Sequence, residues 1–183
     1  VPALVALNGF FVASEFALVA LRSTQVEEMV QRGVRRAKAV AAATANLDRT
    51  IAATQLGITI ASIGLGWVGE PALAHLIEPA FARLPAAWQG TITHTLATTL
   101  DFALITFMHV VFGELVPKTL ALQSPDRTSL WVAKPLNVFA RLTRPLILVM
   151  NGTGNWIVRM FGYEPASAEA MVHSVEELLR AMR

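Results

Sequence analysis

The stretch VPALVALNGFFVASEFALVAL, Val1 to Leu21, is apolar except at Asn8, Ser14 and Glu15. A helix needs about 20 such residues to cross the hydrocarbon layer of a bilayer, and this run supplies that length without a break. The whole chain agrees. Of its 183 residues, 54% are hydrophobic and only 15% are charged, and the mean hydropathy is +0.51. A soluble domain of this size carries nearer a quarter charged residues. Too little charge is left here to cover a water-facing surface, so a membrane protein is the leading class.

Outward from that first run the chain alternates. Arg22 to Arg49 turns polar around an Ala-rich centre that favours helix. Thr50 to Val68 is a second span without a charge, and Gly69 to Gly90 holds three prolines and one base, Arg83. A third apolar run extends from about Thr98 to Leu122, interrupted by Asp101, His109, Glu114 and Lys118. Six Lys and Arg lie between the first two spans, one between the second and third, and eight from Lys118 onward. The positive-inside rule then places the first loop and the C-terminus in the cytoplasm and the N-terminus outside, in a multi-pass protein of the cell membrane.

Beyond the spans, Leu130, Val132, Leu136, Phe139, Leu142 and Leu146 recur at helical spacing with bases between them. That pattern suits helices lying in the inner interface. Pro135 and Pro145 should break it into pieces, and Asn151 to Asn155 (NGTGN) reads as a turn. Residues 1–127 are thus expected to form a transmembrane domain with spans at about 1–21, 50–68 and 98–122. Residues 128–163 form a juxtamembrane belt, and 164–183 begin a cytosolic connecting helix. The fold class is all-α membrane protein. The chain lacks an initiator Met and stops inside an apparent helix, so it reads as a fragment. With no Cys there is no thiolate metal site, and a net charge of +2 does not suggest nucleic acid. No phosphate loop, dinucleotide fingerprint, HExxH or nucleophile elbow is present, so an enzyme is not expected.

Function is sought in the polar residues inside the spans, because an ionisable group there usually faces a cavity or another helix. In HVVFGELVPK (His109 to Lys118), Pro117 has no N–H, so the carbonyl of Gly113 loses its helical donor beside the Glu114 carboxylate. Unpaired carbonyls of broken helices coordinate cations, and oxygen donors suit hard ions. A plainer reading pairs Glu114 with Lys118, four residues on. In the first span Asn8 and Glu15 share a face, with Ser14 about 100° from Glu15. Ser14 could equally hydrogen-bond its own helix. In the second, Ala53, Gly57 and Ala61 make a small-residue packing stripe, while Gly64 and Gly66 could open carbonyls beside Ser62. His94 and Asp101 share a face and suit either a metal or proton site or a hydrated helix end. His109 faces either the Glu114 region or a neighbouring helix.

Three motifs, NGFFVASEFALVAL (Asn8 to Leu21), QLGITIASIGLGWVGEP (Gln55 to Pro71) and HVVFGELVPKTLAL (His109 to Leu122), together resemble the CorC/CNNM family of magnesium transporters. The tail VHSVEELL (Val172 to Leu179) looks like the approach to that family's cytosolic CBS domains. The resemblance implies a homodimer in the lipid bilayer and Mg2+ export coupled to inward Na+ movement. The implied ion site is formed by Ser14, the Ser62 to Gly64 region and Glu114, with Lys118 completing the last motif and Asn8 and Glu15 less securely assigned. A Mg2+-sensing membrane anchor or a Mg2+ channel are the alternatives. Magnesium and the sodium coupling come from the resemblance; the residues alone give a cation site between three helices.

Overall fold

A computed structural model of the chain describes residues 1–81 and 91–163, with side-chain surroundings for 1–69 and 99–163. Among the described residues the protein is helical throughout. The order is α1 (Pro2–Ala20), α2 (Ser23–Gln31), α3 (Ala37–Thr44), α4 (Leu47–Phe81) and α5 (Thr91–Met108). A π-helical segment (His109–Leu115) follows, then α6 (Val116–Gln123), α7 (Pro125–Leu142) and α8 (Arg144–Met160). Three stretches are long and apolar enough to cross a membrane: Pro2–Ala20, Leu47–Gly69 and Thr99–Gln123. They lie within three residues of the boundaries expected from hydropathy alone.

The first two spans run antiparallel, which a short register test makes plain. Leu4 meets Gly64, Phe11 meets Gly57, Asn8 meets Ser62 and Glu15 meets Thr54. Each pair advances on one helix as it retreats on the other. Gly57 allows this closeness: a Cβ there would lie 2.5 Å from the Phe11 ring, so any larger residue must displace that ring. Ala53 and Ala61 are wholly buried with it, and the expected small-residue stripe is a packing surface. The third span runs parallel to the first, with Gly113 beside Asn8 and Val5, and Pro117 beside Gly9.

The amphipathic helices lock this bundle from one end. Phe11 and Leu18 of α1 share a core with Val26, Val40, Ala43, Ala133 and Leu136, so α2, α3 and α7 converge on the first span. α7 buries Ser129, Val132, Ala133, Leu136 and Ala140, a helical stripe of one face, and leaves Trp131 and Leu142 exposed. Two side chains fix α3 between its neighbours. Asn137 donates to the Ala39 carbonyl at 2.8 Å, and Thr50 donates to the Ala43 carbonyl at 2.7 Å.

Two local expectations fail. Pro135 lies inside an unbroken α7, its missing N–H costing the Trp131 carbonyl a partner on the exposed side while the buried stripe holds the helix together. Asn151 to Asn155 is not a turn but the middle of α8, where neither Gly152 nor Gly154 takes a positive φ and apolar runs on both sides keep the helical period. The helix that carries the second span runs on beyond it, through Pro71 and Pro79 to Phe81. Pro145, in contrast, does end the pattern: it stands in the first turn of α8, where a missing N–H costs nothing. The tail Val172 to Leu179 and the connecting helix expected over 164–183 lie outside the described residues.

Candidate functional site in the membrane spans

The third span departs from α-helical geometry where the sequence puts its glycine, acid and proline. Over His109–Leu115 the backbone widens to a π-helix, and the N–H of Val116 reaches back five residues to the Val111 carbonyl. Pro117 stands in the first turn of α6. Its ring seats against α1, where a Cβ on Gly9 would lie 2.9 Å from Pro117 Cγ. A π segment is rare and marks a place where ordinary helical pairing has been given up.

The Gly113 carbonyl is met from another helix. Asn8 Nδ2 donates to it at 3.0 Å, in a buried bond that ties the first span to the third. Gly113 must be bare for this to happen, since a Cβ there would stand 3.2 Å from Asn8 Nδ2 and 3.1 Å from the His109 ring. The other end of the same amide is also used. Ser62 Oγ donates to Asn8 Oδ1 at 3.3 Å, and Ser62 Oγ lies 3.4 Å from His109 Nε2. With the serine proton committed to Asn8, the contact between Ser62 and His109 requires Nε2 of the ring to carry the hydrogen. A chain of polar contacts thus runs from His109 through Ser62 of α4 and Asn8 of α1 back to Gly113, one turn from where it began.

This node unites four residues that the sequence singled out: Asn8, Ser62, His109 and Gly113. Asn8 is 2% exposed, so its amide oxygen sits away from both lipid and water. The oxygens at the node, one amide, one hydroxyl and one carbonyl, are neutral hard donors of the kind that Mg2+ and Na+ accept. Among the described residues no three His, Asp or Glu side chains gather as a metal cluster. Any cation held at the node would rely on carbonyl and hydroxyl oxygens with a carboxylate added.

The remaining candidates are spread around the node. Ser14 is fully buried and donates to the Phe10 carbonyl at 2.6 Å, the bond within its own helix that the sequence allowed, which leaves its oxygen lone pairs unused. Glu15 accepts from Thr54 Oγ1 at 3.1 Å. Thr54 was not foreseen, though the antiparallel register would have found it, since it stands opposite Glu15 as Ser62 stands opposite Asn8. Gly64 meets the Leu4 side chain inside an unbroken helix, so the backbone does not open there as expected. Asp101 is 3% exposed, and its Oδ1 has no hydrogen-bond partner among the described residues. The side chain of His94 lies outside the described residues.

Glu114 and Lys118 do not pair. Lys118 Nζ lies 4.6 Å above the centre of the Phe16 ring, a cation–π contact that holds α6 to α1. Glu114 is exposed on the outer face of the third span, one position beyond the buried Gly113. That span is also the least covered: 11% of its apolar window is buried, against 44% for the first.

A family model described as the cyclin M (CNNM) transmembrane N-terminal domain matches residues 2–183. The chain belongs to that family. The CNNM domain here is 41% identical over 175 residues to the UPF0053 protein YrkA of Bacillus subtilis, covering 96% of this chain and 40% of that protein. It is 42% identical over 175 residues to YhdT of the same bacterium, covering 96% of this chain and 38% of that protein. A UPF0053 protein of Synechocystis, sll0260, is 33% identical over 181 residues, covering 98% of this chain and 39% of its own. The chain therefore spans about two fifths of the length of these relatives. It is a multi-pass membrane domain of the CNNM family, and the match is to a membrane-domain family rather than an enzyme family.

Proposed function

We propose that this CNNM domain carries Mg2+ across the membrane, gripping the ion between its three spans. The supporting observation is the node of Asn8, Ser62 and Gly113, in which each span contributes one oxygen donor at a single depth. Mg2+ wants close oxygens in octahedral array and gives up water reluctantly. A half-built set of neutral donors suits an ion that must be bound and then released. Ser14 adds a second buried hydroxyl on α1, and a carboxylate supplies the charge.

Glu114 enters this reading through the π-helix. A π segment carries one residue more than the α-helix it interrupts, and moving that extra residue along the segment turns the positions it passes by about 100°. Such a move past Gly113 carries Glu114 to the face that now meets Asn8. Pro117 against Gly9 and Lys118 over Phe16 anchor α6 while the turn re-registers. The exposed third span, with Phe102, Phe107 and Phe112 on its outer surface, suits a homodimer packed in the bilayer.

Orientation follows the charge asymmetry, with the N-terminus outside and the C-terminus cytoplasmic. Export of Mg2+ works against the membrane potential, at about 2.3 kcal/mol per charge per 100 mV. A divalent ion doubles that, so inward movement of Na+ is the coupled source. The test is Mg2+ flux from liposomes carrying the full-length protein, with and without a Na+ gradient. Flux that depends on the gradient supports a coupled exporter. Mg2+ binding without flux makes the domain a sensor, and flux indifferent to Na+ makes it a channel.

A further inference from the structure

Several hydroxyls in these helices bond back along their own backbone. Ser14 donates to the Phe10 carbonyl, Thr59 to that of Gln55, Thr119 to that of Leu115 and Thr153 to that of Val149, at 2.6–2.8 Å. Serine and threonine inside a helix do this when nothing else claims the proton. Ser62 stands in the uninterrupted α4 and departs from the habit. Its Oγ reaches across to Asn8 Oδ1 at 3.3 Å and to His109 Nε2 at 3.4 Å. Both contacts are longer than any of the four back-bonds. A rotation about χ1 would give Ser62 the same short bond, to the carbonyl of Ile58.

Asn8 alone does not hold Ser62 off its own helix, since one bond of 3.3 Å is weaker than the back-bond it replaces. His109 supplies the rest. With the hydroxyl proton given to Asn8, the ring's Nε2–H donates to the Ser62 oxygen. A back-bonded Ser62 would turn that oxygen away, and among the described residues Ser62 is the only hydrogen-bonding partner of the ring. The ring itself is seated by the bare Gly113 one turn on, where a Cβ would lie 3.1 Å from its Cδ2. We propose that His109 is a positioning residue for the ion, keeping the Ser62 oxygen in the node rather than on its own helix. The role rests on the node holding Mg2+.

The test is a double-mutant cycle read as Mg2+ affinity, by calorimetric titration of the purified protein in detergent with thermal unfolding alongside. H109F keeps the bulk of the ring and removes its donor, so it should weaken Mg2+ binding about tenfold, as much as S62A does. H109F/S62A should bind no more weakly than either single variant, because the ring acts only through the hydroxyl. H109Q places its amide nitrogen where Nε2 stands and should stay within about threefold of the wild type. H109N, whose amide reaches only as far as Nδ1, should bind like H109F. Losses that multiply to about a hundredfold in H109F/S62A would make His109 an independent packing residue and overturn the role. Wild-type affinity in H109F would overturn it too, as would equal affinity in H109N and H109Q, the pair that decides if H109F does not fold. Unchanged affinity in S62A would overturn the Mg2+ node and this role together, whereas a loss in S62A without one in H109F removes the role alone.

Discussion

Asn8 stands 3.0 Å from the carbonyl of Gly113, and through that bond the first span holds the third at the one place where its helix is widened. The amide is engaged at both ends, since its oxygen accepts from Ser62 of the second span. One side chain therefore joins all three spans.

Asn8→Ala is expected to lower stability by about 1–3 kcal/mol, because it strands a buried carbonyl and removes the acceptor of Ser62. Thermal unfolding in detergent checks this. Asn8→Asp should lose nearly as much, as a carboxylate cannot donate to Gly113. An Asp variant as stable as the wild type would show that the bond carries no weight.

Gly57→Val should be among the most damaging changes on the α1–α4 seam, since the space a side chain needs is filled by the Phe11 ring. Overpacking of this kind costs about 1–3 kcal/mol. Gly57→Val combined with Phe11→Ala should recover part of the loss, measured as the folded, monodisperse fraction after purification.

Lys118→Met should cost about 0.5–2 kcal/mol through the lost contact with Phe16, and Lys118→Arg should largely keep it. Glu114→Gln should change stability by less than about 0.5 kcal/mol, as expected for an exposed residue outside any ion pair. If the two residues were partners after all, both variants would fall by a similar amount.

Thr54→Val should lower stability by about 1 kcal/mol through the hydroxyl lost to Glu15, while Thr54→Ser should be near neutral. Thermal unfolding of the two variants side by side separates the hydrogen bond from the packing of the methyl group.

The spans were legible because twenty-residue apolar runs have few other uses, and Pro117 spelled out a lost hydrogen bond at Gly113, though not the π-helix that surrounds it. The sequence also singled out Asn8, Ser62 and His109, which the structure brings together beside Gly113. What it could not give was which way each one turns. Helical spacing puts Gly113 and Glu114 about 100° apart, and it is the tertiary packing, Pro117 on Gly9 and Asn8 on the Gly113 carbonyl, that turns the glycine inward and the acid outward. Pro135 and the NGTGN run misled for a related reason. Both are local breakers overruled by tertiary packing, in one case a buried stripe and in the other the apolar faces flanking two unstrained glycines.

The decisive measurement is Mg2+ binding by calorimetric titration of the wild type, Ser62→Ala, Glu114→Gln and Ser129→Ala. Ser129 is a buried hydroxyl of α7 that donates to the Asp126 carbonyl, far along the chain from the node, and so controls for loss of a buried hydroxyl. Loss of one oxygen partner of a charged ion is worth about 1.5–3 kcal/mol, so Ser62→Ala and Glu114→Gln should each weaken binding about tenfold or more, with Ser129→Ala unchanged. Mg2+ binding that survives intact in Ser62→Ala and Glu114→Gln would mean that the ion is held somewhere else.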